Sequence, residues 1–286
     1  QVILANCTGM LVENLNIRNT DVGIEIGFSS QITIKNNNVS DNLHGISLWS
    51  SSNNAITDNN ISDNREYGIY LQDSSKNVIT GNDISNNGDD IEVWHNGYVV
   101  IILFFSGGIY LWGSSNNAIT GNNILNNGEG IYLLHSSNNI IRYNSISNNE
   151  DGIYLWSSSN NNITCNNISN NKYGIYLQDS SKNVIYLNNF INNTKSVYSS
   201  YNPTNFWNST SQITYTYEGR TYTNYMGNYW SDYTGSDADE DGIGETPYII
   251  DRNNSDNYPL IERFENYFLP KEVQTFDTGR PENPYP

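Results

Sequence analysis

A motif of 22 residues recurs along most of the chain. Three copies begin at Ser51, Ser114 and Ser158 and share the string SSNNxITxNNI. The first aliphatic position after the serines recurs at intervals of 22 residues, with one interval of 23 and one of 40, at Val12, Ile34, Ile56, Ile79, Ile119, Ile141, Ile163 and Ile185. A fixed period in this range indicates a solenoid, in which each repeat packs only on its neighbours.

Within each repeat, apolar and polar residues alternate in short runs, as in residues 152–155 and 166–169. Alternation with period two indicates strands that face a core on one side. A leucine-rich repeat has units of similar length, but its helical half is missing, and Asn, Ser and Gly are poor in helix interiors. The sequence therefore predicts an all-β protein, a parallel β-helix of about eight or nine coils, stacked about 4.8 Å apart.

Stacked coils give the 51 Asn residues a structural role. We expect each recurring Asn to lie in a tight corner with left-handed backbone angles and to bond the same Asn of the next coil. A sugar-binding surface of amides is the alternative, and the fixed corner position favours the scaffold role. The two recurring positions are Asn37, Asn59, Asn82, Asn122, Asn144, Asn166 and Asn188, and Asn42, Asn64, Asn87, Asn127, Asn149, Asn171 and Asn193.

The repeats predict a solenoid over residues 1–195, with an insertion at about 89–106. The insertion carries an apolar, β-prone run that needs a pairing partner, so it forms either an extra short coil or a hairpin that docks on another copy. Residues 196–269 are predicted to form a β-rich module with a hairpin around Glu218-Gly219, and residues 270–286 an extended tail.

The string NNxITxNNISNNxxGIYL resembles the repeats of the NosD-like and carbohydrate-binding/sugar-hydrolase group of right-handed parallel β-helix proteins, over residues 1–195. The segment from Asn228 to Glu262 resembles the ending of many archaeal secreted NosD-like surface proteins. The resemblance implies a right-handed coil and an extracellular, cell-surface location. It does not imply one function, because this scaffold carries lyases, hydrolases, adhesins and architectural proteins.

Charge and hydropathy exclude several functions. The chain has 30 acidic and 13 basic residues and a formal charge of −17, which argues against binding nucleic acid or an anionic membrane. No run of eighteen apolar residues exists, so no membrane span is expected. Copper delivery, which the NosD name suggests, has little support because His44, His95 and His135 lie far apart.

Motifs for polysaccharide cleavage are also missing. Polygalacturonase-like β-helices share Gly-His-Gly and Arg-x-Lys strings, and neither occurs here. Carboxylates near equivalent corners allow a hydrolytic pair in principle, but solvated surface charges are the favoured interpretation. The sequence therefore predicts no enzyme activity. The carboxylates in question are Glu66, Asp90, Glu129, Glu150 and Asp151.

An acidic turn predicts a calcium site. Carboxylates at positions 1, 3 and 5 with Gly at position 6 surround one point, and a carbonyl at position 7 adds a ligand. Tyr248 stands at position 12, where a full EF-hand has Glu, and an acidic surface turn is the alternative. The expected Ca²⁺ ligands are Asp237, Asp239, Asp241, Ile243 and Glu245, with Asp251 or Asp256 as further candidates.

Three sequons are expected to point outward from the coils and to accept glycans, at Asn38, Asn60 and Asn167. Cys7 and Cys165 lie six coils apart, about 30 Å at the expected spacing, so they cannot form a bridge within one chain. Free thiols are favoured over a bond between subunits.

An aromatic stripe is predicted on the outside of the solenoid. Its residues alternate with inward Ile and Leu, so they share one face over several coils. A stripe this apolar is expected to be covered by the C-terminal segment, by a neighbouring subunit or by stacked sugar rings. These interface candidates are Tyr110, Trp112, Tyr132, Tyr154 and Trp156.

Together these features predict an extracellular structural protein, a homo-oligomeric subunit of a surface layer, sheath or filament. It would assemble through the solenoid ends, the stripe and the insertion. The alternative is a carbohydrate-binding or polysaccharide-processing protein that uses the stripe or the insertion as its cleft, with Trp112 and Trp156 as contacts.

Overall fold

A computed structural model describes residues 1–88, 91–95, 98–102, 107–201 and 203–268. Most of these residues wind into a parallel β-helix, as predicted. Each coil contributes one strand to each of three parallel sheets, which we name sheets 1, 2 and 3 in the order in which the coil visits them. Neighbouring strands in a sheet come from successive coils, because 22 residues complete one turn.

The strands are short, and those of sheet 1 are the longest. Sheet 1 contains Val2–Ala5, Val22–Gly27, His44–Trp49, Tyr67–Gln72, Gly107–Trp112, Glu129–Leu134, Asp151–Trp156, Tyr173–Gln178 and Lys195–Ser200. Sheet 2 contains Leu11–Glu13, Thr33–Lys35, Ala55–Thr57, Val78–Thr80, Ala118–Thr120, Ile140–Arg142, Asn162–Thr164 and Val184–Tyr186. Sheet 3 contains Asn16–Arg18, Asn38–Ser40, Asn60–Ser62, Asp83–Ser85, Asn123–Leu125, Ser145–Ser147, Asn167–Ser169, Asn189–Ile191 and Tyr229–Trp230.

The core is a set of stacked aliphatic rows. Ile46, Ile69 and Ile109 pair directly with one another in sheet 1, and each is fully buried. Ile61, Ile84 and Ile124 do the same in sheet 3. Equivalent residues one repeat apart therefore lie above one another, as the period predicts. The rows bury apolar surface continuously along the axis, which is the main stabilising contribution in such a fold.

The Asn rows link each coil to the next by hydrogen bonds. Asn59 donates from both its backbone N–H and its side-chain Nδ2 to Oδ1 of Asn82, each at 3.0 Å, and its Nδ2 also reaches the carbonyl of Ile34 at 3.0 Å. The amide-to-amide bonding is as predicted. The left-handed angle falls one position earlier, at Asp58 (φ 54°), because the buried amide needs its own backbone extended to reach the next coil.

Two further polar rows were not predicted. Asn54 donates to Asn77, which donates to Asn117, and the hydroxyl of Ser51 accepts the backbone N–H of Ser29 at 3.0 Å. Both rows lie in the corner between sheets 1 and 2. The serine-rich start of the repeat therefore supplies hydrogen bonds in the third corner of the coil. These bonds satisfy buried backbone groups that no strand can pair.

The solenoid extends beyond residue 195, where the sequence placed its end. Lys195–Ser200 adds a strand to sheet 1, and Tyr229–Trp230 adds one to sheet 3. The repeat pattern fades there, yet the strand edges of the last coil still need partners. Trp230 stacks on Phe190 with ring centroids 4.3 Å apart, and the buried carboxylate of Asp256 accepts the Trp230 indole N–H at 2.9 Å. The C-terminal module therefore covers this end.

The remaining strands form antiparallel pairs. Ile213–Tyr217 and Arg220–Asn224 form the predicted hairpin, with Glu218 and Gly219 at φ 47° and 79°. Other elements of the module are the pair Tyr248–Ile249 and Ser255–Asp256 and a short 3-10 helix, Phe264–Asn266.

In the insertion, Ile91–His95 pairs with Tyr98–Ile102, which favours a hairpin over an extra coil. Docking of this hairpin on another copy stays a prediction. Asp90 and the tail over 270–286 lie outside the described residues. In the part of the chain that the structure describes, no helix has the length and hydropathy needed to cross a bilayer.

Candidate functional site

The outer face of sheet 1 carries two aromatic rows. In each six-residue strand the third and fifth side chains face the core, and the fourth and sixth face outward. We name the fourth positions the tyrosine row: Tyr70, Tyr110, Tyr132, Tyr154, Tyr176 and Tyr198. We name the sixth positions the tryptophan row: Trp49, Gln72, Trp112, Leu134, Trp156 and Gln178.

The tyrosine row is a buried stack. Ring centroids of Tyr110 and Tyr132 are 4.8 Å apart, and those of Tyr132 and Tyr154 are 4.7 Å apart, with nearly parallel planes. These three side chains are only 8%, 2% and 6% exposed. Burial raises the pKa of each hydroxyl well above its usual range. Three of the five predicted interface residues are therefore already covered within one chain and offer no open docking surface.

The tryptophan row is open to solvent. Trp49 is 47% exposed and Trp112 is 44% exposed, and Trp156 is half-buried. Phe28 packs against Trp49 with ring centroids 5.8 Å apart. Large exposed indoles on a rigid sheet are common in ligand-binding surfaces, because their apolar faces gain free energy when covered. Gln72 separates Trp49 from Trp112 in the register of the strands.

Acidic and imidazole groups lie at the first position of the same strands. Glu129 pairs with Asp151 on the next coil, so the carboxylates belong to adjacent rungs. On earlier coils of the solenoid, Nε2 of His44 lies 3.5 Å from the carboxylate of Glu66. Burial lowers the pKa of His44, against the opposing effect of Glu66 and Asp21. Its imidazole is thus biased toward the neutral form, which can accept a proton.

Asp151 is the most perturbed carboxyl of this face. Burial, reinforced by the neighbouring Glu150, raises its pKa to about 7, and Lys172 opposes the rise. Its Oδ1 is buried without a hydrogen-bond partner among the described residues. Lys172 is instead paired with Glu150 at 2.5 Å. A carboxyl that holds a proton near neutral pH beside a second carboxylate has the properties of a general acid.

The predicted calcium turn lies in the C-terminal module. Asp237, Asp239 and Glu245 each present a carboxylate oxygen within 4.8 Å of the others. That spacing fits oxygens placed around one ion at calcium distances of about 2.3–2.6 Å. Burial raises the pKa of Asp237, whereas the backbone N–H of Ala238 lowers that of Glu245 by hydrogen bonding to it.

The structure does not bring all five predicted ligands together. Asp241 accepts the backbone N–H of Ile243 at 2.7 Å and the amide of Asn224 at 3.1 Å, so both of its oxygens are engaged elsewhere. The ligand predicted at Ile243 is its main-chain carbonyl, and that contribution stays a prediction, because only its side chain lies in the core of the module. The calcium site therefore stays a prediction, supported by three carboxylates of the turn.

The predicted glycan acceptors point outward on sheet 3. Asn60 is exposed, whereas Asn38 and Asn167 are half-buried, and Nδ2 of Asn60 donates to Oδ1 of Asn38 at 3.0 Å. Glycosylation there stays a prediction. Both thiols are free, with Cys165 buried against the C-terminal module and Cys7 half-buried.

Family models match nearly all of the solenoid. The model described as "Right handed beta helix region" matches residues 1–103, and the model described as "Periplasmic copper-binding protein (NosD)" matches residues 103–235. Repeat and coil geometry define a right-handed parallel β-helix repeat protein. The NosD model covers 133 of the 286 residues, and over that part the chain is similar to the NosD-like members of this class. No curated protein matches it.

Solved structures share the coil architecture at low identity. A double mutant of the periplasmic alginate epimerase AlgG is 20% identical, with a TM-score of 0.53, over 69% of this chain and 58% of the epimerase chain. An alginate lyase from Paenibacillus is 13% identical, with a TM-score of 0.32, over 65% and 72%. The tailspike of E. coli bacteriophage HK620, solved with a pentasaccharide, is 11% identical, with a TM-score of 0.46, over 70% and 41%. This chain thus spans little more than half of the epimerase.

These matches correct the sequence analysis. The exclusion of enzyme activity is wrong as drawn, because the same coil architecture occurs in an enzyme, the alginate epimerase AlgG. The missing polygalacturonase strings exclude one catalytic arrangement, not catalysis on the scaffold. The AlgG structure is named for an activity on alginate and not for a structural filament. The signal that the sequence analysis undervalued was Asp151, whose burial depends on packing that the repeat pattern does not encode.

Proposed function

We propose that this protein binds polysaccharide along the outer face of sheet 1. The observation that carries the proposal is the tryptophan row, in which two indoles are almost half exposed on a rigid, in-register surface. Sugar rings have apolar faces that pack on indoles, and their rims of hydroxyls suit the polar groups nearby.

The fold supports this proposal. The AlgG structure, named for its action on a polysaccharide, shares the coil over 69% of this chain. A parallel β-helix offers long, flat faces, which suit a long ligand better than a compact one. The description of the matched NosD model as periplasmic supports a location outside the cytoplasm, where polysaccharides are met.

Binding to a polysaccharide panel tests the proposal. Affinity electrophoresis through gels that contain neutral, acidic and amino polysaccharides should retard the protein in at least one gel. Trp112→Ala should abolish most of the retardation, because it removes the central exposed indole. The control Phe268→Ala removes an aromatic that is 74% exposed in the C-terminal module and should retain it. Unchanged mobility of the parent in every gel would refute the function.

Polysaccharide processing is a second candidate, favoured by Asp151. Glu129 and Asp151 are paired on adjacent coils, whose backbones are about 4.8 Å apart, and a retaining glycoside hydrolase uses two carboxyl groups about 5–5.5 Å apart. Asp151 would donate the proton to the leaving oxygen, and Glu129 would act as the nucleophile. Release of reducing ends from a bound polysaccharide, lost in Asp151→Asn while binding is kept, would support this role. Equal release by the variant would contradict it.

Calcium binding by the acidic turn is a separate proposal. The three converging carboxylates support it, and millimolar external calcium suffices for a weak site. Calcium should raise the melting temperature of the parent and leave that of Asp239→Asn unchanged. Asp58→Asn, which alters an exposed carboxylate on the solenoid, should respond as the parent does. A calcium response that persists in Asp239→Asn would refute the site.

A further inference from the structure

The tryptophan row repeats every second coil. Trp49 pairs with Gln72, which pairs with Trp112, and Trp112 pairs with Leu134, which pairs with Trp156. Coils of parallel strands are about 4.8 Å apart, so successive indoles lie about 9.6 Å apart along the axis. A bound chain that contacts all three indoles must therefore present equivalent faces at this repeat.

An extended β-1,4-linked polysaccharide has nearly this repeat. Each pyranose in such a ribbon advances the chain by nearly the length of one coil spacing, and successive sugars are turned over. The same ring face therefore meets the protein at every second sugar, which matches an indole on every second coil. Coiled α-linked glucans curve away from a straight row and would reach one indole at a time.

Two glutamines of the row supply polar contacts: Gln72 lies between Trp49 and Trp112, and Gln178 lies one coil beyond Trp156. The hydroxyl of Tyr70 donates to Oε1 of Gln72 at 3.0 Å, and that of Tyr154 donates to Oε1 of Gln178 at 2.8 Å. Because the carbonyl end of each glutamine is held by a tyrosine, the amide nitrogen is the end that offers donors to a ligand. Donors beside flat apolar contacts suit the hydroxyl rim of a sugar ribbon.

Charge selects against acidic polysaccharides. Asp73 and Asp179 directly follow the two glutamines of the row, and the chain as a whole carries a formal charge of −17. Asp73 lies inside the contact and the whole chain is acidic, so a carboxylated polysaccharide would meet repulsion that a neutral one would not. The face therefore differs in its charge requirement from a surface built for uronates.

We propose, resting on the proposed function, that the ligand is a neutral, extended β-1,4-linked polysaccharide lying parallel to the solenoid axis, with one sugar per coil. The contact runs over five coils, since four pairings lead from Trp49 to Trp156. Affinity should therefore rise with oligosaccharide length up to about five sugars and then level off.

Calorimetric titration with cello-oligosaccharides and manno-oligosaccharides of two to six sugars tests this, beside alginate oligomers and an α-linked glucan as comparators. Neutral β-linked oligomers should bind best, with the stated length dependence. Trp112→Ala should weaken the longest ligand about tenfold, a loss of about 1.4 kcal/mol, and Phe268→Ala should not. Circular dichroism and melting temperature verify that each variant is folded.

A matched double variant tests the spacing itself. Trp112→Leu combined with Leu134→Trp keeps the composition and moves one indole by a single coil, out of phase with Trp49. It should lose as much affinity as Trp112→Ala. Undiminished affinity in the double variant, an affinity independent of length, or tighter binding of alginate or the α-linked glucan would overturn this inference and leave the proposed function standing. Absence of binding to every polysaccharide would overturn both.

Discussion

The two aromatic rows of sheet 1 are two residues apart on the same strands, yet they have opposite environments. Tyr132 is 2% exposed and packed between identical rings, whereas Trp112 is 44% exposed. Strand alternation sends both outward. The difference shows that an outward position is not the same as an exposed position, since rings stacked at coil spacing bury one another.

The tyrosine row and the tryptophan row therefore have different roles on the outer face of sheet 1. The tyrosine row adds a second packed layer outside the aliphatic core, and its hydroxyls orient the glutamines of the other row. The tryptophan row keeps apolar surface in contact with water, at a cost in free energy that binding a ligand would recover. Stability and recognition are thus separable by mutation, and the following changes test that separation.

Tyr132→Ala should have the largest effect. Removing a fully packed aromatic side chain leaves a cavity and costs about 3–5 kcal/mol of unfolding free energy. Chemical denaturation measures the loss. A loss below about 1 kcal/mol would mean that the tyrosine row is not a packed layer, and the contrast between the rows would fail.

Asp151→Asn should make stability less dependent on pH. The folded pKa of Asp151 is about 7, against an ordinary value of 3.8, so between these values the folded state holds a proton that the unfolded state has lost. The parent therefore loses stability as pH rises from about 4 to 7, by about 2–4 kcal/mol.

The variant, neutral throughout, should be more stable than the parent at pH 8, and the difference should disappear near pH 4. Melting temperatures across this range provide the measurement. Asp41→Asn, at an exposed turn, is the control and should follow the parent. Parallel pH profiles for the parent and Asp151→Asn would show that Asp151 is not perturbed.

Tyr154→Phe should have a smaller effect, about 1 kcal/mol, because it removes only the hydrogen bond to Gln178 at 2.8 Å. A double-mutant cycle with Gln178→Leu isolates this bond, and the two losses should not add. Full additivity would show that the two rows are uncoupled.

Trp112→Ala should have the smallest effect on stability, within about 0.5 kcal/mol, because the indole is an exposed surface group. The same variant should lose most of its polysaccharide binding. A stability loss as large as that of Tyr132→Ala would place Trp112 in the packed layer and remove the distinction between the rows.

Much of the fold was predictable because the repeat acts locally and identically in every coil. Stacking of Ile46, Ile69 and Ile109 follows from their spacing alone, and so does the bonding of Asn59 to Asn82. The end of the solenoid at Tyr229–Trp230 was not predictable, because that strand lies outside the repeat and pairs through a long connection.

The sequence by itself determined the solenoid: its period, its inward rows, two of its amide rows and the side of sheet 1 on which the aromatics lie. Tertiary structure decided which of those aromatics are exposed, that Asp151 is buried beside them, and that Asp237, Asp239 and Glu245 converge while Asp241 does not. The reason is physical: period and alternation fix the direction of a side chain, whereas its accessibility and protonation depend on neighbours that are distant in sequence.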